Sequence, residues 1–150
     1  MEIKTFYFND LRECTYIVWD KTNECVIIDP GCHTHGHFDH IMGNAFVAKR
    51  WNIKSYIHPL DKPQLERAVS YYSMFGYNIE QPPLDTIDIV EGDILEFGES
   101  SLTVMETPGH SRGGVSLYNR EHKIVITGDS LFAGSIGRTD LPGGDYEVLN

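Results

Sequence analysis

The sequence predicts an α+β domain, because strand-like and helix-like segments fall in separate blocks along its 150 residues. Three short runs rich in β-branched and aromatic residues fill the first third, and two segments with helical spacing of apolar residues follow. Strand-like runs then return from Thr86 to Thr127. Histidines and aspartates gather at the ends of several of these segments, where loops on a rigid scaffold carry chemistry.

The runs IKTFYF at 3–8, CTYIVW at 14–19 and CVIID at 25–29 are separated by turn residues and read as an antiparallel meander. From Asp39 to Trp51 the residues Ile41, Ala45, Ala48 and Trp51 share one helical face, which places Asp39 at the helix N-terminus. The helix dipole favours its negative charge there. A short strand, SYIH at 55–58, precedes a second helix at 61–75 whose Leu65, Ala68, Val69 and Tyr72 form a stripe suited to core packing. Pro82-Pro83 marks a loop, and Gly92-Asp93, Gly98 and Gly113-Gly114 punctuate the later strands. A last helix start is expected at Asp145-Tyr146-Glu147. With no repeat, low-complexity run or linker, the chain is expected to form a single domain.

Composition restricts the partners. The net charge of −10 and the scatter of the 12 Lys and Arg argue against nucleic acid, which needs a clustered basic face. The start, MEIKTFYFND, has no long apolar run, so no signal or membrane anchor is expected and the compartment is read as cytoplasmic. Cys14, Cys25 and Cys32 form no Cys-x-x-Cys pair, which fits reduced thiols. Cys14 and Cys25 are read as core residues of strands, and Cys32 as an incidental neighbour of the histidine cluster. The oligomeric state has no signature in the sequence.

The strongest chemical signal is His35-Gly36-His37-Phe38-Asp39-His40. Side chains at i and i+2 of an extended segment share a face, so His35 and His37 can grip one ion. Asp39 and His40 are consecutive, diverge, and can reach a second. Further ligand types sit at Pro108-Gly109-His110 and at Gly128-Asp129, each just past a strand-like run. His33 is read as a bystander, His58 as a hydrogen-bonded turn histidine and His122 as a surface turn residue.

These motifs, THGHFDH at 34–40, TPGH at 107–110 and TGDSLF at 127–132, resemble the successive metal-binding motifs of the metallo-β-lactamase superfamily. The resemblance implies an αββα sandwich with a dinuclear site at the sheet edges. It implies His35, His37 and His110 on the first metal, Asp39 and His40 on the second, and Asp129 as the bridge. The run LFAGSIGRTDLPGG at 131–144 is similar to the glyoxalase II (hydroxyacylglutathione hydrolase) branch and to its relative, persulfide dioxygenase.

Two departures stand out. Relatives place a helix and a buried strand between the turn Asp29-Pro30-Gly31 and the first metal motif, whereas here Thr34-His35 follows almost at once. The resemblance also implies a last ligand histidine in a Pro-Gly-His-Gly motif beyond Asn150. The fold is therefore expected to be an incomplete sandwich: either the protein itself lacks these segments or they belong to a longer parent, and the second is expected, since loss of a core strand exposes a buried sheet.

Two divalent ions roughly 3.5–4 Å apart share a water and lower its pKa toward neutrality, which suits attack on a thioester carbonyl. The expected function is hydrolysis of a small thioester such as an S-acyl-glutathione by a metal-bridging hydroxide. The resemblance gives Asp39 the added role of orienting the nucleophile. Arg138 reads either as a contact for a substrate carboxylate or as a structural salt bridge. Zinc is the first choice of metal, and the donor set also accepts iron and manganese. Two alternatives remain at this point: a mononuclear-iron persulfide dioxygenase using His35, His110 and Asp129, and a metal-binding domain inactive at this length.

Overall fold

The computed structural model describes residues 1–8, 12–30 and 33–150; Cys32 and Gly31 lie outside the described residues. The first strands form as the alternation predicts: β1 (Glu2–Phe8), β2 (Glu13–Trp19) and β3 (Cys25–Ile28) make an antiparallel sheet with Thr5 opposite Tyr16 and Val18 opposite Val26. Two helices, α1 (Phe38–Ile41) and α2 (Asn44–Trp51), follow. Next come β4 (Tyr56–Ile57), a single 3-10 turn at Pro59–Asp61, and α3 (Lys62–Ser73). β5 (Ile87–Asp88) returns parallel to β4.

A second, antiparallel sheet has the order β6 (Ile94–Phe97), β7 (Ser100–Glu106), β8 (Val115–Asn119) and β9 (Ile124–Ile126). A 3-10 turn at Gly128–Ser130, the hairpin of β10 (Leu131–Phe132) with β11 (Ser135–Ile136), and α4 (Tyr146–Leu149) complete the chain. The expected start of α4 is present: the Asp145 carboxyl accepts from the backbone N–H groups of Glu147 (2.9 Å) and Val148 (3.3 Å).

Alternation decides what is buried. In β7 and β8, Leu102, Val104, Val115 and Leu117 point inward and pack with Val18 and Ile28 of the first sheet, Ile89, Phe97 and Ile126. A second core lies between the helices and β4, where Ile41, Leu65, Ala68 and Tyr72 meet Ile57 and Ile79. Helices thus cover one face of a two-sheet sandwich. No helix among the described residues is long and apolar enough to cross a membrane.

Several local expectations are corrected. The helix expected to run unbroken from Asp39 to Trp51 divides at Met42 and Gly43. Gly43 approaches Pro30 so closely that a Cβ there would lie 2.5 Å from Pro30 Cγ, a contact no local pattern reveals. Trp51 (51% exposed) and Val69 (37% exposed) stand outside the core, as does Cys25, while Cys14 is half-buried. Periodicity identifies a face; it does not identify what covers it.

The first sheet is interrupted where the sequence lacks the buried strand that the resemblance implies for relatives. Among the described residues β3 and β4 share no ladder, and the His33 N–H donates to Tyr56 O (2.9 Å) across the gap. The outer side of β1–β3 and helix α2 bound an apolar groove of about 510 Å³ lined by Phe6, Ile17, Ile27, Phe46, Val47 and Trp51.

Candidate metal centre

Loops at one end of the sandwich bring the six expected ligands together. The extended backbone of His37 (φ −68°, ψ 151°) leads into α1 and carries Asp39 and His40 onto its first turn. His110 follows β7, and Asp129 lies in the turn after β9. At Gly128, with φ +49°, an added Cβ would collide with the Thr34 side chain, so the turn that presents Asp129 requires glycine.

Three imidazoles converge. His37 Nδ1 lies 2.8 Å from His110 Nε2, which lies 3.2 Å from His35 Nε2. Their partners define the tautomers. His110 Nδ1 is 2.7 Å from the carbonyl oxygen of Arg138, an acceptor only, so it donates there and leaves Nε2 a bare lone pair. The Thr34 hydroxyl donates to Asp29 Oδ2 (2.6 Å), so at 3.2 Å it accepts from His35 Nδ1, which bares His35 Nε2 as well. Two lone pairs therefore face each other in a buried pocket with His37 Nδ1 beside them. A single proton satisfies only part of this set; a cation satisfies all of it. Burial, then the neighbouring imidazoles, hold His35 well below the ordinary histidine range and His37 at about 4, so both are neutral and competent as ligands at pH 7.

A second cluster adjoins the first. His40 Nε2 lies 3.4 Å from Asp129 Oδ1 and 3.9 Å from Asp39 Oδ2. The other Asp129 oxygen lies 3.7 Å from His110 Nε2, so each carboxylate oxygen of Asp129 faces one cluster. Burial would depress His40, but Asp29 and Asp129 outweigh it and raise its pKa well above the usual value. Asp39 is shifted upward, mainly by burial.

The structure adds residues that the sequence motifs did not single out. Asp29, read only as part of a turn, is buried behind the site; its Oδ1 accepts from the Thr34 N–H (2.9 Å), and its Oδ2 sits 3.1 Å from His40 Nδ1. Burial pushes its carboxyl up, yet His40 and His33 hold it well below the carboxylate range. Glu13, 4.0 Å from His40 Nδ1, is raised by burial to about 8. Asp61 is fully buried and joins two ligand-bearing segments: Oδ2 accepts from Gly36 N–H (2.9 Å) and Ser111 hydroxyl (2.7 Å), Oδ1 from Gly113 N–H (2.8 Å).

The other histidines stay outside the two clusters. His33 is buried against Asn44, whose amide donates to its Nε2 (2.6 Å). His58 Nδ1 accepts from the Leu60 N–H (3.2 Å), capping the 3-10 turn, and its Nε2 lies 3.1 Å from Glu106 Oε1. His122 lies exposed in the β8–β9 turn against Asn119. Arg138 lines the cleft over the site, with its guanidinium paired to Asp140 by two 2.7 Å hydrogen bonds.

Asp29→Asn should weaken metal binding at the His40 position by about 10–100-fold, because a partner that orients a ligand imidazole is removed. Zinc titration of the variant tests this; unchanged affinity at that position would contradict the orienting role.

Residues 32–150 match the Metallo-beta-lactamase superfamily. The chain is 37% identical over 150 residues to the Bacillus subtilis (strain 168) protein named "Probable metallo-hydrolase YqgX", covering 85% of this chain and 70% of that protein. It is 31% identical over 171 residues to hydroxyacylglutathione hydrolase GloC of Haemophilus influenzae, covering 99% and 81% respectively. That alignment runs over more positions than the 150 residues of this chain, so the relative carries residues without a counterpart here. Among solved structures, the di-iron-bound form of TTHA1623 superposes with a TM-score of 0.86 at 34% identity, over 97% of this chain and 81% of that one.

Proposed function

Because the chain belongs to the metallo-β-lactamase superfamily, whose members are metal-dependent enzymes, we propose that it is a hydrolase of small thioesters of the S-acyl-glutathione type. The carrying observation is the pair of adjoining clusters with Asp129 between them, open to a cleft of about 430 Å³. His35, His37 and His110 would hold one divalent ion, Asp39 and His40 a second, and Asp129 both; zinc is the proposed metal. When bound, such a pair supplies Lewis acidity and a nucleophile at neutral pH.

The chain's own residues do the rest. Asp39 lines the cleft and orients the attacking water, while Thr34 and Asp29 keep His35 and His40 turned toward it. Hydrolysis breaks the C–S bond: the acyl carbon takes the water oxygen, the sulfur leaves with the bonding pair, and the released proton passes to solvent. A thiolate is stable near neutral pH, so the leaving group needs no strong general acid. The donor set meets that demand with carboxylates and imidazoles committed to binding.

The zinc-loaded protein is expected to hydrolyse an S-acyl-glutathione, to lose that activity on chelation and to regain it with added zinc. Oxygen uptake with glutathione persulfide, and no thioester turnover, would replace this reading with the dioxygenase one.

A further inference from the structure

The chain is acidic, with 22 Asp and Glu against 12 Lys and Arg, and most cations near an acid are paired with it. Lys21, Lys49, Lys54, Lys62 and Arg138 each hold a carboxylate, and Arg12 and Arg50 lie over aromatic rings. Arg67 of α3 and Arg112, two residues after His110, are different. Neither guanidinium has a hydrogen-bond or ion-pair partner among the described residues, yet both line one cavity of about 410 Å³ with His37. Asp61 also borders this cavity, but its carboxyl oxygens are committed to Gly36, Ser111 and Gly113.

This cationic cavity adjoins the cleft over the metal centre. The two share His37, Tyr71, Tyr72 and Leu141. Beyond the shared wall the character changes: Phe38, Phe75 and Tyr77 join the lining as the cleft reaches Asp39, His110 and Asp129. One lobe thus offers two unpaired guanidiniums and the other aromatic faces; of the candidate ligands, His37 lies in the shared wall and Asp39, His110 and Asp129 line the aromatic lobe.

We propose that the lobes divide the substrate: Arg67 and Arg112 bind carboxylates on a peptide-like thiol half, and the aromatic lobe takes an apolar acyl group. This rests on the thioester reading above and assigns the residues that recognise the two halves of such a substrate. Arginine suits the task because its planar fork binds a carboxylate through two hydrogen bonds. Arg138 is already occupied by Asp140 and leaves the anion to these two.

The test uses S-hexylglutathione, a non-hydrolysable thioether, and its dimethyl ester, in calorimetric titrations of the zinc-loaded full chain. The free acid is expected to bind at least about tenfold more tightly than the ester, since a charge-assisted hydrogen bond contributes about 1.5–3 kcal/mol. Arg67→Gln and Arg112→Gln should each remove most of that preference, and raise KM for S-acyl-glutathione about tenfold with kcat within about twofold. Both residues are exposed, so the melting temperature should not move, and Arg120→Gln in the β8–β9 turn should behave as wild type. Equal binding of acid and ester, no binding of either, or a preference that survives both substitutions would overturn the proposal. Thioester turnover indifferent to both arginines sinks this inference alone, whereas arginine-dependent binding without turnover sinks the thioester reading and leaves the anion site standing.

Discussion

Asp129→Ala should lower metal content at both positions, whereas Asp39→Ala should leave the first position filled and mainly slow turnover. The difference follows from where the oxygens point. Asp129 presents Oδ1 to His40 Nε2 at 3.4 Å and Oδ2 to His110 Nε2 at 3.7 Å, so its removal strips a donor from each cluster. Asp39 approaches only the His40 side, at 3.9 Å, and the three converging imidazoles persist without it. Loss of a direct ligand should exceed the range of about 10–100-fold seen when a supporting partner is removed, in metal affinity for Asp129→Ala and in kcat for Asp39→Ala. Elemental analysis and turnover measured on the same preparations separate the two. Equal metal loss in both variants, or metal retained in Asp129→Ala, would reject the bridging role.

Asp61→Ala should be the most damaging single change to the fold among the residues around the site. Its carboxyl is fully buried and receives three hydrogen bonds, two from backbone N–H groups and one from a hydroxyl. Alanine leaves those three donors in the interior without acceptors, and at about 1–3 kcal/mol each the loss totals roughly 3–9 kcal/mol. That is a large share of the roughly 5–15 kcal/mol by which a domain is stable. Because Gly36 lies between His35 and His37, and Ser111 follows His110, zinc affinity at the first position should fall with it. Urea unfolding of metal-free protein isolates the folding effect from the binding effect. A midpoint equal to wild type would mean that the two ligand loops hold together without this link.

Short-range chemistry was legible in the sequence. The i, i+2 spacing of His35 and His37 and the adjacent Asp39-His40 pair at a helix start are local facts, and backbone geometry carries them directly into the site. The strands were legible for the same reason, since alternation in β2 and β7 mirrors two chemically different sides of a sheet. Only the tertiary structure decided what lies between distant segments. It turned Asp29 from a turn residue into the carboxylate behind His40, and made Asp61 the acceptor shared by residues 36, 111 and 113. It divided the helix expected from Asp39 to Trp51 where Gly43 meets Pro30, and it left Trp51 and Cys25 exposed. It also set Arg67 and Arg112, 45 positions apart, around one cavity. The physical reason is common to all of these: periodicity and spacing specify the direction of a side chain relative to its own backbone, whereas its partner depends on packing between segments remote in sequence.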